Sequence, residues 1–270
     1  MDIIDAHIHT SFHHKETMAF AKEHCIDFSW SGLQTSLQKY TIKAALAITT
    51  DTQAFTPGES KMLIAQQKLD QRIFPVCAIH PEHTSEKDLH VLEQLFKDKS
   101  VYGIKIFPGY HPVYPSDKCY HPFYKLAGSY GIPVIIHTGD TFGSDHFVKY
   151  SHPLDIDEIA VTFRKTIFVL AHLGNPWVRD AAELVYKNEN VYADLSAFCI
   201  GHPQKPPRYI AKDILFALDY TNAPEKLVYG SDWPLVDMGA YITIIKNAVP
   251  KKHHRAIFFE NANRIFTLGL

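Results

Sequence analysis

Near its start the chain reads Ile3-Ile4-Asp5-Ala6-His7-Ile8-His9-Thr10. An apolar β-branched run that ends in His-x-His has the composition of a buried strand. In an open doubly wound sheet that binds dinucleotides, the turn after such a strand would carry Gly-x-Gly-x-x-Gly. Here that place holds His7-Ile8-His9-Thr10. Similar runs recur at Ala44–Ile48, Ile73–Ile79, Val101–Ile106, Ile132–His137, Ile167–His172, Val191–Leu195 and Leu227–Tyr229. Helix-period stretches lie between them at Ser60–Gln71, Ser85–Lys97 and Asn175–Lys187, and Ser85 with Asp88 reads as a capping box. Strands alternating with helices imply a parallel sheet buried on both faces. The expectation is an α/β fold, a (β/α)8 TIM barrel in a single domain over residues 1–270.

Composition narrows the function. The 270 residues carry 27 Lys plus Arg against 29 Asp plus Glu, a net charge of −2. Such a balance lacks the broad positive field of sequence-independent nucleic-acid binding. No apolar run approaches a membrane span, and the start has no basic, apolar leader pattern. Cys25, Cys77, Cys119 and Cys199 are scattered, as reduced cysteines are. The expectation is a cytoplasmic protein acting on a small molecule, without nucleic acid or membrane; a homo-oligomer is allowed. The basic stretch Lys251-Lys252-His253-His254-Arg255 reads as a solvated helix face.

Seventeen histidines stand out, and several close strands. By simple alternation Asp5, His7 and His9 share one face of the first strand, with Ile4, Ala6 and Ile8 turned to the covering helices. His137 ends the fifth strand, His172 the sixth, and Gly230-Ser231-Asp232-Trp233-Pro234 follows the eighth. All would point into one mouth at the carboxyl ends of the strands, where barrel enzymes build their sites. Four imidazoles and a carboxylate are costly to bury unless a divalent metal takes them as ligands.

The Asp-x-His-x-His start, the histidines of strands five and six and Gly-Ser-Asp-Trp-Pro resemble the amidohydrolase superfamily. The nearest likeness is to its branch with aminocarboxymuconate-semialdehyde decarboxylase and related metal-dependent hydrolases. The resemblance runs from Asp5 to Glu260-Asn261-Ala262-Asn263-Arg264-Ile265-Phe266. It implies that His7, His9 and His137 bind metal, that Asp232 contacts the metal and takes the proton of its water, and that His172 binds metal or acts as acid/base. Asp5 would support a ligand from behind. Lys105, on strand four, would anchor a substrate carboxylate, form a salt bridge, or as a carbamate bridge two metals. Zinc is the expected ion, one per chain, or two with a carbamylated Lys105; it would bring the pKa of its water from 15.7 to about 7.

Substrate contacts are expected from the loops Pro108–Asp117, Thr138–Pro153 and Ser196–Pro207, which follow strands four, five and seven. The candidates are His80, Tyr110, His111, Trp233, Lys205 and Arg208. The expected reaction is hydrolysis of a C–N, C–O or lactone bond of a small molecule, and decarboxylation of a small carboxylic acid is the alternative. A TatD-type deoxyribonuclease fits less well, because those proteins carry glutamate where Lys105 stands. A non-catalytic metal-binding module is disfavoured by a mouth that leaves a position open to water.

Overall fold

A computed structural model describes residues 1–49, 57–203 and 207–270. Strands β1 (Ile3–His9), β2 (Ile42–Ile48), β3 (Ile73–Ala78), β4 (Gly103–Ile106), β5 (Val134–Ile136), β6 (Phe168–Leu170), β7 (Val191–Asp194) and β8 (Leu227–Val228) pair in parallel in chain order. The chain after β8 returns to β1. Ala6 N–H donates to the Tyr229 carbonyl (2.9 Å), Asp232 N–H to that of His7 (2.8 Å) and His9 N–H to that of Trp233 (2.7 Å). These bonds close the barrel. Two helices, α1 (Lys15–Glu23) and α2 (Trp30–Lys39), separate β1 from β2. Single helices then follow in turn: α3 (Pro57–Leu69), α4 (Glu86–Lys97), α5 (His121–Tyr130), α6 (Asp155–Thr162), α7 (Val178–Lys187) and α8 (Arg208–Thr221). After β8 come α9 (Met238–Ala248) and α10 (Asn261–Ile265).

Helix α4 shows how locally the sequence sets its elements. Ser85 Oγ accepts from Asp88 N–H and Asp88 Oδ2 accepts from Ser85 N–H, completing the capping box. Leu92 and Phe96, one turn apart, bury its inner face. The stretch Lys251–Arg255 begins as a 3-10 turn over Lys251–His253 on the surface.

Apolar residues fall into two layers. Strand residues Ile3, Ile8, Ala45, Ala47, Cys77, Ile104, Val134 and Ile136 pack outward against helix residues such as Leu33, Leu63, Leu92 and Tyr124. Ile4, Ala6, Ala44, Leu46, Val76, Ile135, Val169 and Val228 fill the barrel, with Ile265 and Phe266 from the C-terminal segment. This corrects the simple alternation expected of β1. Asp5 pairs with Ala45 but Ile8 with Ala47, so three residues of β1 advance against two of β2. Such a bulge changes the phase of the side chains. Ile4 and Ala6 therefore face inward and Ile8 outward, and Asp5 does not share the face of His7 and His9.

Strands β5, β6 and β8 are only two or three residues long. His137, His172 and Asp232 thus lie just past their strands. His172 and Asp232 adopt left-handed backbone angles, φ 62° and 70°. For residues other than glycine this costs on the order of 1–3 kcal/mol each, which the surrounding contacts must offset.

Candidate metal centre

At the carboxyl end of the barrel three imidazoles meet one carboxylate. The ring of His7 lies 5.3 Å from that of His9 and 5.0 Å from that of His172, centroid to centroid. Asp232 Oδ1 lies 3.0 Å from His9 Nε2 and 3.5 Å from His7 Nε2. All four side chains are buried. The ligand atoms of His7, His9 and Asp232 lie within 4.8 Å of one another, and so do those of His7, His172 and Asp194.

Each ring is anchored through Nδ1. His9 Nδ1 is 3.2 Å from the Ile48 carbonyl, His7 Nδ1 is 2.8 Å from Asp194 Oδ2, and His172 Nδ1 is 2.8 Å from Ser196 Oγ. A carbonyl and an ionised carboxylate can only accept, so His7 and His9 carry their proton on Nδ1. Their Nε2 lone pairs then both face Asp232 Oδ1, which accepts no hydrogen bond. Two lone pairs against an anion, out of water, are unfavourable without a cation between them. Two imidazole nitrogens and a carboxylate oxygen are the donors that zinc and manganese accept. The residues fit a divalent metal.

The electrostatics agree. Burial lowers His7 to about 4, assisted by Lys105 and opposed by Asp194 and Asp232. Burial also lowers His172, and it holds His137 well below the usual histidine range. His7, His137 and His172 are therefore neutral at pH 7, the form that binds metal. Burial alone would raise the Asp232 carboxyl, but the adjacent His9, His7 and His172 bring it to about 2. Asp194 resists its burial in the same way, through His7, and stays below the usual carboxylate range.

The other expected residues divide. His137 stands beside the cluster, its ring 5.1 Å from His172, but its Nε2 is 3.0 Å from the Asp140 carbonyl and it belongs to neither triad. Lys105 reaches in from β4, with Nζ 3.4 Å from His7 Nε2 and 5.1 Å from the centre of the Phe107 ring. Burial lowers its amine to about 8 against the pull of Asp194 and Asp232, and it makes no ion pair among the described residues. Asp5 braces backbone rather than a ring. Its Oδ1 accepts from His7 N–H (3.2 Å) and Ser231 N–H (2.8 Å), pinning the bulge to the turn after β8.

Four sites expected to meet substrate lie elsewhere. Trp233 is buried between Phe12 and Phe28, with ring centroids 6.3 and 5.3 Å away. His80 and His111 pack on each other at 4.3 Å over β3 and β4. Arg208 opens α8 on the surface, and Lys205 lies outside the described residues. A cavity of about 320 Å³ adjoins the cluster, lined by Tyr110, His137, Phe142, His172, Ile200 and Asp232 among others. Neither His80, His111, Trp233 nor Arg208 is in its wall. The Tyr110 hydroxyl accepts from Phe142 N–H at 2.8 Å, which leaves its own hydrogen for the cavity.

Sequence reasoning missed Asp194 and Ser196. The signal is Asp194-Leu195-Ser196, polar residues alternating at the end of β7, which in sequence alone looks like the close of an apolar run and the start of a loop.

Nothing among curated proteins matches the sequence significantly. Solved structures share its fold. A dihydroxybenzoic acid decarboxylase from a Polaromonas species, with bound manganese and the inhibitor 2-nitroresorcinol, aligns at TM-score 0.74 and 15% identity over 100% of this chain and 97% of that one. A probable 2-pyrone-4,6-dicarboxylic acid hydrolase from Acinetobacter baumannii aligns at 0.66 and 17%, over 99% and 100%. An amidohydrolase from Burkholderia multivorans with bound zinc aligns at 0.70 and 15%, over 99% of each. At such identities the likeness speaks for the barrel. The sequence profile of the amidohydrolase family matches residues 4–268, and the chain belongs to that family of enzymes.

Proposed function

We propose that this enzyme hydrolyses a C–N, C–O or lactone bond of a small molecule with the help of one divalent cation, zinc by preference. The observation that carries the proposal is the meeting of His7 Nε2 and His9 Nε2 on a single Asp232 oxygen, at 3.5 and 3.0 Å. A cation held there by His7, His9 and Asp232 would polarise the substrate's carbonyl oxygen and acidify water. Asp232, ionised throughout the working pH range, takes a proton from the attacking water. As a weak base it readily passes that proton to the leaving nitrogen or oxygen. His172, with Nδ1 committed to Ser196, turns Nε2 toward the cavity and holds or relays a proton beside the reacting carbonyl. Tyr110 donates its hydroxyl hydrogen to a substrate oxygen, and Phe142 and Ile200 shield the cavity from water.

Hydrolysis is favoured over decarboxylation by the cavity wall. Among the described residues that line it there is no Lys or Arg to hold a substrate carboxylate, and Asp140 adds negative charge at the rim. The test is to incubate the zinc-loaded protein with panels of lactones, esters and amides and with hydroxybenzoates. Acid release without carbon dioxide supports the reading. Carbon dioxide release without cleavage of any ester, amide or lactone replaces it with the decarboxylase alternative.

A further inference from the structure

We infer that Asp194 is a positioning residue that fixes the tautomer and orientation of His7 and His172 together, the second through Ser196. The inference rests on the reading of these imidazoles as facing the reacting centre. Asp194 ends β7, and its carboxylate spans the space between β1 and the turn after β6. Oδ2 takes His7 Nδ1 at 2.8 Å. Oδ1 accepts from the backbone N–H groups of His172 (2.9 Å) and Ser196 (3.0 Å) and from the Ser196 hydroxyl. With both oxygens held from fixed directions, the carboxylate cannot turn.

The direction of the chain follows from the donors. Asp194 is ionised, so it only accepts, and His7 must present Nδ1–H. The Ser196 hydroxyl hydrogen goes to Oδ1, so Ser196 Oγ meets His172 Nδ1 (2.8 Å) as an acceptor. His172 therefore also carries its proton on Nδ1 and exposes the Nε2 lone pair. The left-handed backbone of His172 serves the same end, since it turns the amide N–H onto Oδ1. One anion on β7 thus sets two neighbouring imidazoles, their ring centroids 5.0 Å apart, and a carboxylate behind a ligand histidine raises its basicity as well.

The test reads tautomers directly. Two-bond nitrogen–proton correlation spectra of ¹⁵N-histidine protein, with and without zinc, are compared for the parent and for Asp194→Asn and Ser196→Ala, alongside zinc affinity by chelator competition. The parent should show Nδ1–H for His7 and His172. Ser196→Ala should disturb the His172 signals far more than those of His7, since Ser196 Oγ lies 2.8 Å from His172 Nδ1 and 3.4 Å from His7 Nδ1, lowering kcat about tenfold while zinc affinity stays within about twofold of the parent. Asp194→Asn should disturb both rings and weaken zinc by about 10–100-fold. Nε2–H on His172 in the parent overturns the inference, even if neither variant folds. So does an Asp194→Asn protein with parental His7 signals and zinc affinity within about threefold. The tautomers do not depend on turnover. Correct tautomers in a protein that cleaves no substrate would uphold the tie and sink only the hydrolase reading.

Discussion

Adding one methyl group at Gly230 probes the site from behind. A Cβ there would lie 2.8 Å from His7 Cβ, 3.3 Å from His7 N and 3.3 Å from Ser196 Cβ. Carbon atoms rest at about 3.5–4.0 Å, so His7 would have to withdraw by about 1 Å. It cannot do so freely, because its carbonyl accepts from Asp232 N–H and its amide donates to Asp5. Overpacking a buried site costs about 1–3 kcal/mol. A misplacement of about 1 Å in a reacting constellation costs on the order of 100-fold in rate. Gly230→Ala should therefore lower stability by that amount in chemical denaturation, weaken metal retention and reduce turnover far more than the stability loss explains. Parental stability to within about 0.5 kcal/mol, with parental metal content and rate, would refute the close approach of the β8 turn to His7.

The remaining predictions separate the roles within the site. His9→Ala should lose bound metal and activity together, whereas Asp232→Asn should stay folded and lose turnover by at least about 100-fold, as paired metal and rate measurements would show. In chelator, buried His7 should favour unfolding as pH falls from about 6.5 toward 4, while Asp5, which burial raises to about 7, favours the folded state over the same range. The unfolded His7 takes a proton in that window while the folded one, held to about 4, does not, so this group contributes a loss of about 3 kcal/mol with no further change below. A His7 ring signal of the metal-free protein that titrates near 6.5 by NMR would contradict the burial of a neutral His7. Tyr110→Phe should raise KM about tenfold with kcat held, the effect of one lost hydrogen bond to substrate; an unchanged KM would place the hydroxyl outside the substrate's reach.

All eight strands were legible because a parallel sheet covered on both sides demands near-continuous β-branched runs, as in Val134-Ile135-Ile136 and Phe168-Val169-Leu170. Helix α4 was legible through its cap. Of the ten helices among the described residues only α3, α4 and α7 show in the sequence as helix-period stretches; α1, for one, buries only Thr17 and Ala21, too little apolar surface for a periodic signal. The bulge in β1 was hidden because it depends on how β2 advances alongside, a fact of pairing that one strand's sequence does not carry. It displaced Asp5 from the face of His7 and gave the supporting role to Asp194, nearly two hundred residues away in the chain. Trp233, beside Asp232 in sequence, turns to the opposite side of the backbone and packs on Phe12 and Phe28. Nearness in sequence was a poor guide to the cavity wall.

The account turns on a cation held where His7, His9 and Asp232 converge. Elemental analysis of the protein purified without chelator, read against chain concentration, tests it most directly. One divalent metal per chain, lost in His9→Ala, is the predicted result. A fully active protein containing no stoichiometric metal would contradict it.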